Sequence, residues 1–379
     1  MKITCVLGPF LPVPPVRGGA VERIFQNLCE VFADIGHDVT IVSRCFESFP
    51  NQEVINGVKY LRVASFNQPK SVILYRLFDI LYAIRVCFAL PKSDVTITNS
   101  VSLPLFIPRG RAGLIYMSIA RFPKGQMSAY RRVDRMQTVS THIGDAVRRQ
   151  SPSVAHLVKT VPNALSKSFA GAIDEDRGAR QKKILFVGRI AREKGIHLLV
   201  RAFKLAHAKF PEWQLTIVGP HRSAEGGDGE ACLEELKTLS ADLGSSVAFI
   251  GPVFDEAELV KHFKCCEVFV YPSIAARGEA LPLAPVEAMA CGCAVVVSSL
   301  DCFNDYLTDG INGLVFDEGD GSGADLAEKL ERLMGDEALR DMIGNAAVRT
   351  AQSYTRESVA LAFLEDFKTL RPAAARDGE

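Results

Sequence analysis

The chain has no apolar run long and clean enough to cross a bilayer. Its most apolar stretch, residues 72–90, is broken by Arg76, Asp79 and Arg85, and three charges in so short a span argue against a transmembrane helix. It reads as a helix packed on a sheet and leading into a strand at Asp94, with a helix lying on a membrane surface as the alternative. A disulfide framework is also missing. The ten cysteines are scattered, and Cys265-Cys266 and Cys291-Gly-Cys293 have no His or further Cys at metal-ligand spacing. They read as small core residues, and no structural zinc is expected. A buried-type strand at Ile3 with no secretory signal ahead of it points, with the unpaired cysteines, to a reducing, cytoplasmic setting.

Overall charge is absent too, since 44 Lys and Arg balance 44 Asp and Glu. The balance is uneven along the chain: residues 1–170 hold 21 basic against 10 acidic residues, and the remainder 23 against 34. The first half is suited to an anionic partner such as a phospholipid surface or a lipid phosphate, although domains that merely differ in charge would look the same. Its basic residues from Arg109 to Arg149 are not interleaved with aromatics on a recognised nucleic-acid module, so no nucleic acid is expected.

What is present is an alternation of short apolar runs with helix-period segments, the pattern of parallel sheets covered by helices. A length of 379 residues suits two such cores. Strands are predicted at residues 3–8, 38–43, 58–63, 94–99, 114–118, 136–140 and 158–162. A polar linker, residues 166–181, precedes a second series at 184–187, 214–218, 247–250, 268–271, 294–297 and 313–316. Between the first two strands Val21, Ile24, Phe25, Leu28, Val31, Phe32 and Ile35 share a helical face that Gly36 ends. The expected class is α/β, with domains at 1–170 and 171–357, each doubly wound and Rossmann-like, facing a central cleft. Helix 358–370 is expected to cross back onto the first domain, and the chain from Pro372 to be frayed.

The most informative segment is Glu279-Ala-Leu-Pro-Leu-Ala-Pro-Val-Glu287-Ala-Met-Ala-Cys-Gly. Pro282 and Pro285 suit the approach and first turn of a helix beginning near Ala284 and ending at Cys291-Gly292. Glu279 then lies in a loop and Glu287 in the first turn. Helix N-terminal N–H groups favour anions, and a carboxylate can accept two hydrogen bonds from a vicinal diol, so a sugar nucleotide fits the pair. Upstream, Gly188-Arg-Ile-Ala-Arg-Glu-Lys-Gly195 places Arg189 and Lys194 after a strand, where two cations could meet a diphosphate. It is not a Walker loop. Gly18-Gly19 offers close backbone approach or a plain turn, and Gly251-Pro-Val253 a weak base-contact signal.

These residues in this order resemble the retaining glycosyltransferases of family 4, which have the GT-B fold. The resemblance covers most of the chain: Gly-Gly-Ala-Val-Glu near the start, Val161-Pro-Asn163, Gly188-Arg-Ile to Lys194-Gly195, and Glu279 to Glu287 followed by Ala-Met-Ala-x-Gly. It implies that Arg189 and Lys194 grip the donor diphosphate, Glu287 binds the ribose, and Glu279, next to Ala280, contacts the transferred sugar. It further implies that backbone N–H groups of Leu281, Leu283 and Ala284 meet the phosphates, Gly18 and Gly19 close over the donor, and Val253 lies near the base. No divalent metal or cofactor is required in the family; the donor is a UDP- or GDP-sugar. The acceptor would be a saccharide or lipid-linked molecule in surface polysaccharide or glycolipid synthesis, with peripheral association on the inner face of the membrane through the basic first domain.

The chain departs from the family pattern where a histidine is often found after the fifth strand: here the segment reads Ile115-Tyr-Met-Ser118-Ile-Ala-Arg121, leaving Ser118 and Arg121 as contacts to sugar or acceptor. His142 reads as the start of a helix rather than as its replacement. Ala280 and Leu281 also stand where Gly or Ser and Phe are common. A GT-B epimerase, a glycogen-synthase-like polymerase and a catalytically silent sugar-nucleotide binder remain open; transfer that depends on an acceptor separates them.

Overall fold

The computed structural model describes every residue except 17, 18, 48, 176, 177, 320 and 371–379. Gly18 and the segment from Pro372 read as frayed therefore lie outside the described residues. The chain divides into two compact units, Met1–Ala164 with the chain from Arg356, and Leu165–Thr355.

The first unit is built on eight strands: β1 (Lys2–Val6), β2 (Asp38–Arg44), β3 (Gln52–Ile55), β4 (Val58–Val63), β5 (Val95–Thr98), β6 (Leu114–Ile119), β7 (Arg135–Thr138) and β8 (Val158–Thr160). Their order is β3-β4-β2-β1-β5-β6-β7-β8, parallel except for the β3–β4 pair. Edge strand β3 is absent from the sequence reading because only half its positions are even partly buried. The sign was Asn56-Gly57, whose φ angles of 48° and 76° form the tight turn of this hairpin.

Helices α1 (Ala20–Asp34), α2 (Val72–Ala89), α3 (Leu103–Phe106), α4 (Arg109–Ala112) and α5 (Thr141–Gln150) connect these strands. The α1 face is buried at Phe25, Leu28, Val31 and Phe32, but Ile35, past the last turn, is 49% exposed. Residues 141–150 form a helix as expected for His142, capped by Ser140, whose Oγ accepts from the Ile143 N–H. The last helix among the described residues, Arg356–Thr369, packs with α1 on one core: Phe363 and Phe367 meet Phe32 and Tyr116 edge-on or tilted. Arg135 clasps Asp366 through two hydrogen bonds of 2.7 and 2.9 Å, and the Tyr116 hydroxyl donates to the same carboxylate.

The second unit holds α6 (Lys167–Ala172), α7 (Ile196–His207), α8 (Glu230–Leu239), α9 (Glu256–Cys265), α10 (Leu283–Ala290), α11 (Ala324–Gly335) and α12 (Glu337–Ala351). Its strands are β9 (Gln181–Val187), β10 (Gln214–Val218), β11 (Val247–Gly251), β12 (Cys266–Tyr271), β13 (Ala294–Ser298) and β14 (Leu314–Phe316), and the helix Arg356–Thr369 of the first unit is α13. The sheet is parallel throughout, in the order β11-β10-β9-β12-β13-β14. The stretch read as a linker contains α6, because Phe169 is buried edge-on against Phe263 of α9. All ten cysteines are free; Cys266, Cys291 and Cys293 are core residues as expected, but Cys265 ends α9 exposed. Among the described residues no helix is long and apolar enough to cross a membrane.

Candidate active site

In the second sheet the strand order reverses on either side of β9, so the chain leaves β9 and its neighbour β12 in opposite directions. Such a switch point leaves a crevice at the carboxyl ends of the two strands. The loop after β9 carries Arg189 and Lys194, and the loop after β12 carries Glu279. Gly195 is required between them: its φ is 66°, and a Cβ there would lie 1.9 Å from the Pro272 carbonyl oxygen. That close approach ties the two loops together, as do hydrogen bonds from the Ile274 N–H (2.9 Å) and Ser273 Oγ (3.2 Å) to the Glu193 carbonyl.

The result is a buried ion pair. Lys194 Nζ lies 2.5 Å from Glu279 Oε1, with side-chain exposures of 8% and 7%. Lys194 also donates to the Tyr271 hydroxyl at 2.9 Å, and the hydroxyls of Tyr271 (3.1 Å) and Ser273 (2.7 Å) donate to the same carboxylate oxygen. Burial first, and then the Glu279 charge, push the Tyr271 phenol well above its ordinary value, which keeps it a neutral donor. Arg189 is more exposed and is held by Glu193 (3.0 Å) and by the carbonyl of Gly226, in the loop after β10. Strand-end hydrogen bonds align the neighbouring loops: Gly188 N–H to the Val218 carbonyl, and Gly219 N–H to the Gly251 carbonyl. Val253, half-buried, follows that last glycine.

Helix α10 begins at Leu283, one residue earlier than the sequence suggested, because Pro282 with ψ 123° is its extended flanking residue. Pro285 becomes the third helical position, where its missing N–H costs nothing. Glu287 is consequently the fifth residue and lies in the second turn, not the first. The physical outcome preserves the face, since i and i+4 stack: Leu283, Ala284 and Glu287 are partly exposed while Pro285, Val286, Ala288, Met289 and Ala290 are buried. No side chain caps the start of this helix among the described residues, and Leu281, just before it, is buried.

The first unit has its own switch point, between β1 and β5, and a pocket of about 500 Å³ beside it. Ser118 and Arg121 both line it, with Gly19, Glu22, Tyr75, Asp79 and Asn99. Gly19, with φ 114°, leaves room for Glu22: a Cβ there would sit 2.4 Å from the carboxylate. Burial raises the Glu22 pKa, and Arg121 opposes the shift. Asp79 is structural at both oxygens, accepting from Ser100 Oγ (3.3 Å) and the Ser102 N–H (2.9 Å).

A model of the glycosyl transferases group 1 family matches residues 173–350, which carry the whole Arg189–Glu287 constellation. A phosphatidyl-myo-inositol mannosyltransferase of Mycolicibacterium smegmatis is 30% identical over 338 residues, 83% of this chain and 82% of that protein. This chain belongs to the group 1 glycosyl transferases. The spore coat protein SA of Bacillus subtilis is 25% identical over 380 residues, covering 93% of this chain and 95% of that one. A sucrose-phosphate synthase from Thermosynechococcus elongatus superimposes with a TM-score of 0.73 at 19% identity, over 97% and 98% of the two chains, and shows the GT-B fold.

Several residues that shape this glycosyltransferase were not singled out from its sequence. Tyr271 and Ser273 look like an ordinary strand end, and nothing local marks them as partners of Glu279. Glu22 and Asp79 did carry a signal. Each falls on the buried face of its helix, Glu22 with Phe25 and Phe32 and Asp79 with Tyr82, Ala83 and Val86. A carboxylate on an apolar face needs a reason.

Proposed function

We propose that this glycosyltransferase moves a sugar from a UDP- or GDP-sugar to an acceptor hydroxyl with retention and without a metal ion, in the synthesis of a surface polysaccharide or glycolipid. The observation that carries this is the pairing of Lys194 with Glu279 at the switch point of one sheet, with helix α10 starting four residues after Glu279. An ammonium has three donors. Lys194 directs two of them at Tyr271 and Glu279, which leaves one for a diphosphate oxygen. Arg189 and the N–H groups of Leu281, Leu283 and Ala284 would share the leaving charge, doing the work of a divalent ion. Glu287 would take the ribose hydroxyls and Val253 the base. Glu279, gripped at Oε1, would offer Oε2 to the transferred sugar beside Ala280.

In the reaction the anomeric C–O bond to phosphate breaks, and the electron pair leaves with the diphosphate. The acceptor oxygen attacks the same face and its proton passes to a departing phosphate oxygen. Such a path needs charge stabilisation rather than an enzyme nucleophile, and the three donors on Glu279 Oε1 support a binding role for this residue. The acceptor would be a saccharide or a lipid-linked molecule, its polar end in the pocket of Ser118 and Arg121. A panel of sugar nucleotides, scored by protection against thermal unfolding, identifies the donor. With that donor, product should form only when an acceptor is present, keep the donor's anomeric configuration by NMR, and persist in EDTA. Acceptor-independent isomerisation of the donor would instead favour the epimerase reading, and binding with no turnover a silent binder.

A further inference from the structure

Helix α2 is apolar on the side that faces solvent. At about 100° per residue, Ile73, Leu77, Ile80, Ile84 and Phe88 form one stripe along its length. Ile73 is 79% exposed and Phe88 81%, with Leu77 and Ile84 above 40%. The opposite side is fully committed to the first unit: Tyr82, Ala83 and Val86 are buried, and Asp79 is bonded to Ser100 and Ser102. The helix therefore cannot roll to hide the stripe. The adjoining helix α3 extends the patch with Leu105 and Phe106, 39% and 48% exposed.

The exposed charges of α2 have one sign. Arg76 and Arg85 flank the stripe on its two sides, both exposed, Arg85 also donating to the Ala64 carbonyl. Residues 54–133 contain twelve Lys and Arg, of which Arg62 is buried against Glu53 and Lys59 pairs with Asp38, but only two acids, Asp79 and Asp94, and Asp79 is buried. A helix with an apolar face edged by cations matches the boundary of an anionic bilayer, where the apolar side chains enter the acyl region and the cations meet headgroups. Arg135, counted among the basic residues of the sequence, takes no part, being turned to Asp366.

We infer that the α2–α3 face is a docking surface for an anionic lipid bilayer. Tyr75 and Asp79, on the inner side of the same helix, line the pocket of Ser118 and Arg121. On the proposed function, a lipid-linked acceptor would thus present its polar end to that pocket from the bilayer. Docking itself does not depend on that reading, because it needs neither donor nor acceptor.

The test is cosedimentation of the full chain with vesicles of phosphatidylcholine alone or mixed equally with phosphatidylglycerol, in low salt and without substrates. Strong binding to the mixed vesicles is expected, roughly tenfold or more weaker on phosphatidylcholine and in high salt. The triple variant Ile73→Ser, Leu77→Ser, Phe88→Ser should lose at least about tenfold in binding to mixed vesicles, with an unchanged unfolding temperature and unchanged donor protection. In parallel, Phe88→Trp reports insertion directly, because the single native tryptophan, Trp213, is buried in the other unit. Its emission should shift blue on adding mixed vesicles. No binding by the wild-type protein, equal binding by the triple variant, or an unshifted emission from the Phe88→Trp variant overturns the inference. So does a wild-type dimer that the triple variant converts to monomer, which would make a second copy the occupant. Loss of donor protection in the wild-type protein would instead count against the proposed function and leave docking standing.

Discussion

Lys194 and Glu279, 85 residues apart in sequence, form a buried ion pair 2.5 Å long between the loops that follow two adjacent strands. Glu279→Gln should lower turnover and weaken binding of the sugar relative to the bare nucleotide. Lys194→Ala should lower turnover about 10²–10³-fold. Either change also leaves a buried partner unmatched and should cost about 3–5 kcal/mol of stability. The double variant should lose less than the sum of the two, measured by denaturant unfolding. A Glu279→Gln enzyme that keeps its activity, or additive stability losses, would contradict the shared role.

Gly195→Ala should destabilise the second unit by more than about 1 kcal/mol, since it adds a clash with the Pro272 carbonyl to the strain of a positive φ. Gly125→Ala is the control for backbone strain alone. Its φ of 81° and ψ of −4° are also left-handed, and a Cβ there meets nothing within 4 Å. Equal melting shifts for the two variants would remove the tie between the Lys194 and Glu279 loops.

The first unit should carry a pH-dependent strain from Glu22. Its carboxyl pKa is raised by burial above the ordinary 4.5, so the folded protein holds this proton more tightly than the unfolded one. Stability from this group is therefore present below about 4.5 and is lost as pH rises through the raised folded value. Glu22→Gln, always neutral, should be more stable than the wild-type protein at pH 7, with the gain shrinking as pH falls toward 4. A pH-independent difference in melting temperature would contradict this assignment.

Asp366→Ala should destabilise the first unit by about 3–5 kcal/mol, because it strips both hydrogen bonds from a mostly buried Arg135 and the acceptor from Tyr116. Asp366→Asn should recover part of the loss. Limited proteolysis should then cut α13 first, and an α13 that stays protected in Asp366→Ala would show that its aromatic contacts suffice.

Much of this was legible because it depends on local chemistry. Apolar alternation located thirteen of the fourteen strands found among the described residues to within a few residues, since a strand between two helical layers is apolar whatever its neighbours. The exception, β3, is an edge strand with little burial, marked only by its Asn-Gly turn. Proline placed the start of α10 to one residue, and that one residue was enough to move Glu287 from the first turn to the second.

By itself, then, the sequence determined the two parallel-sheet cores, the loops that carry Arg189, Lys194 and Glu279, the helix that carries Glu287, and the family to which they point. Those features are written in backbone sterics and hydrophobic period, which neighbouring residues suffice to set. Tertiary structure alone decided that Lys194 would face Glu279, that Tyr271 and Ser273 would hold the same carboxylate, and that α2 would turn its apolar stripe outward. Pairings of this kind depend on which strands lie side by side, and strand order is settled by how the whole sheet buries itself rather than by any segment read alone.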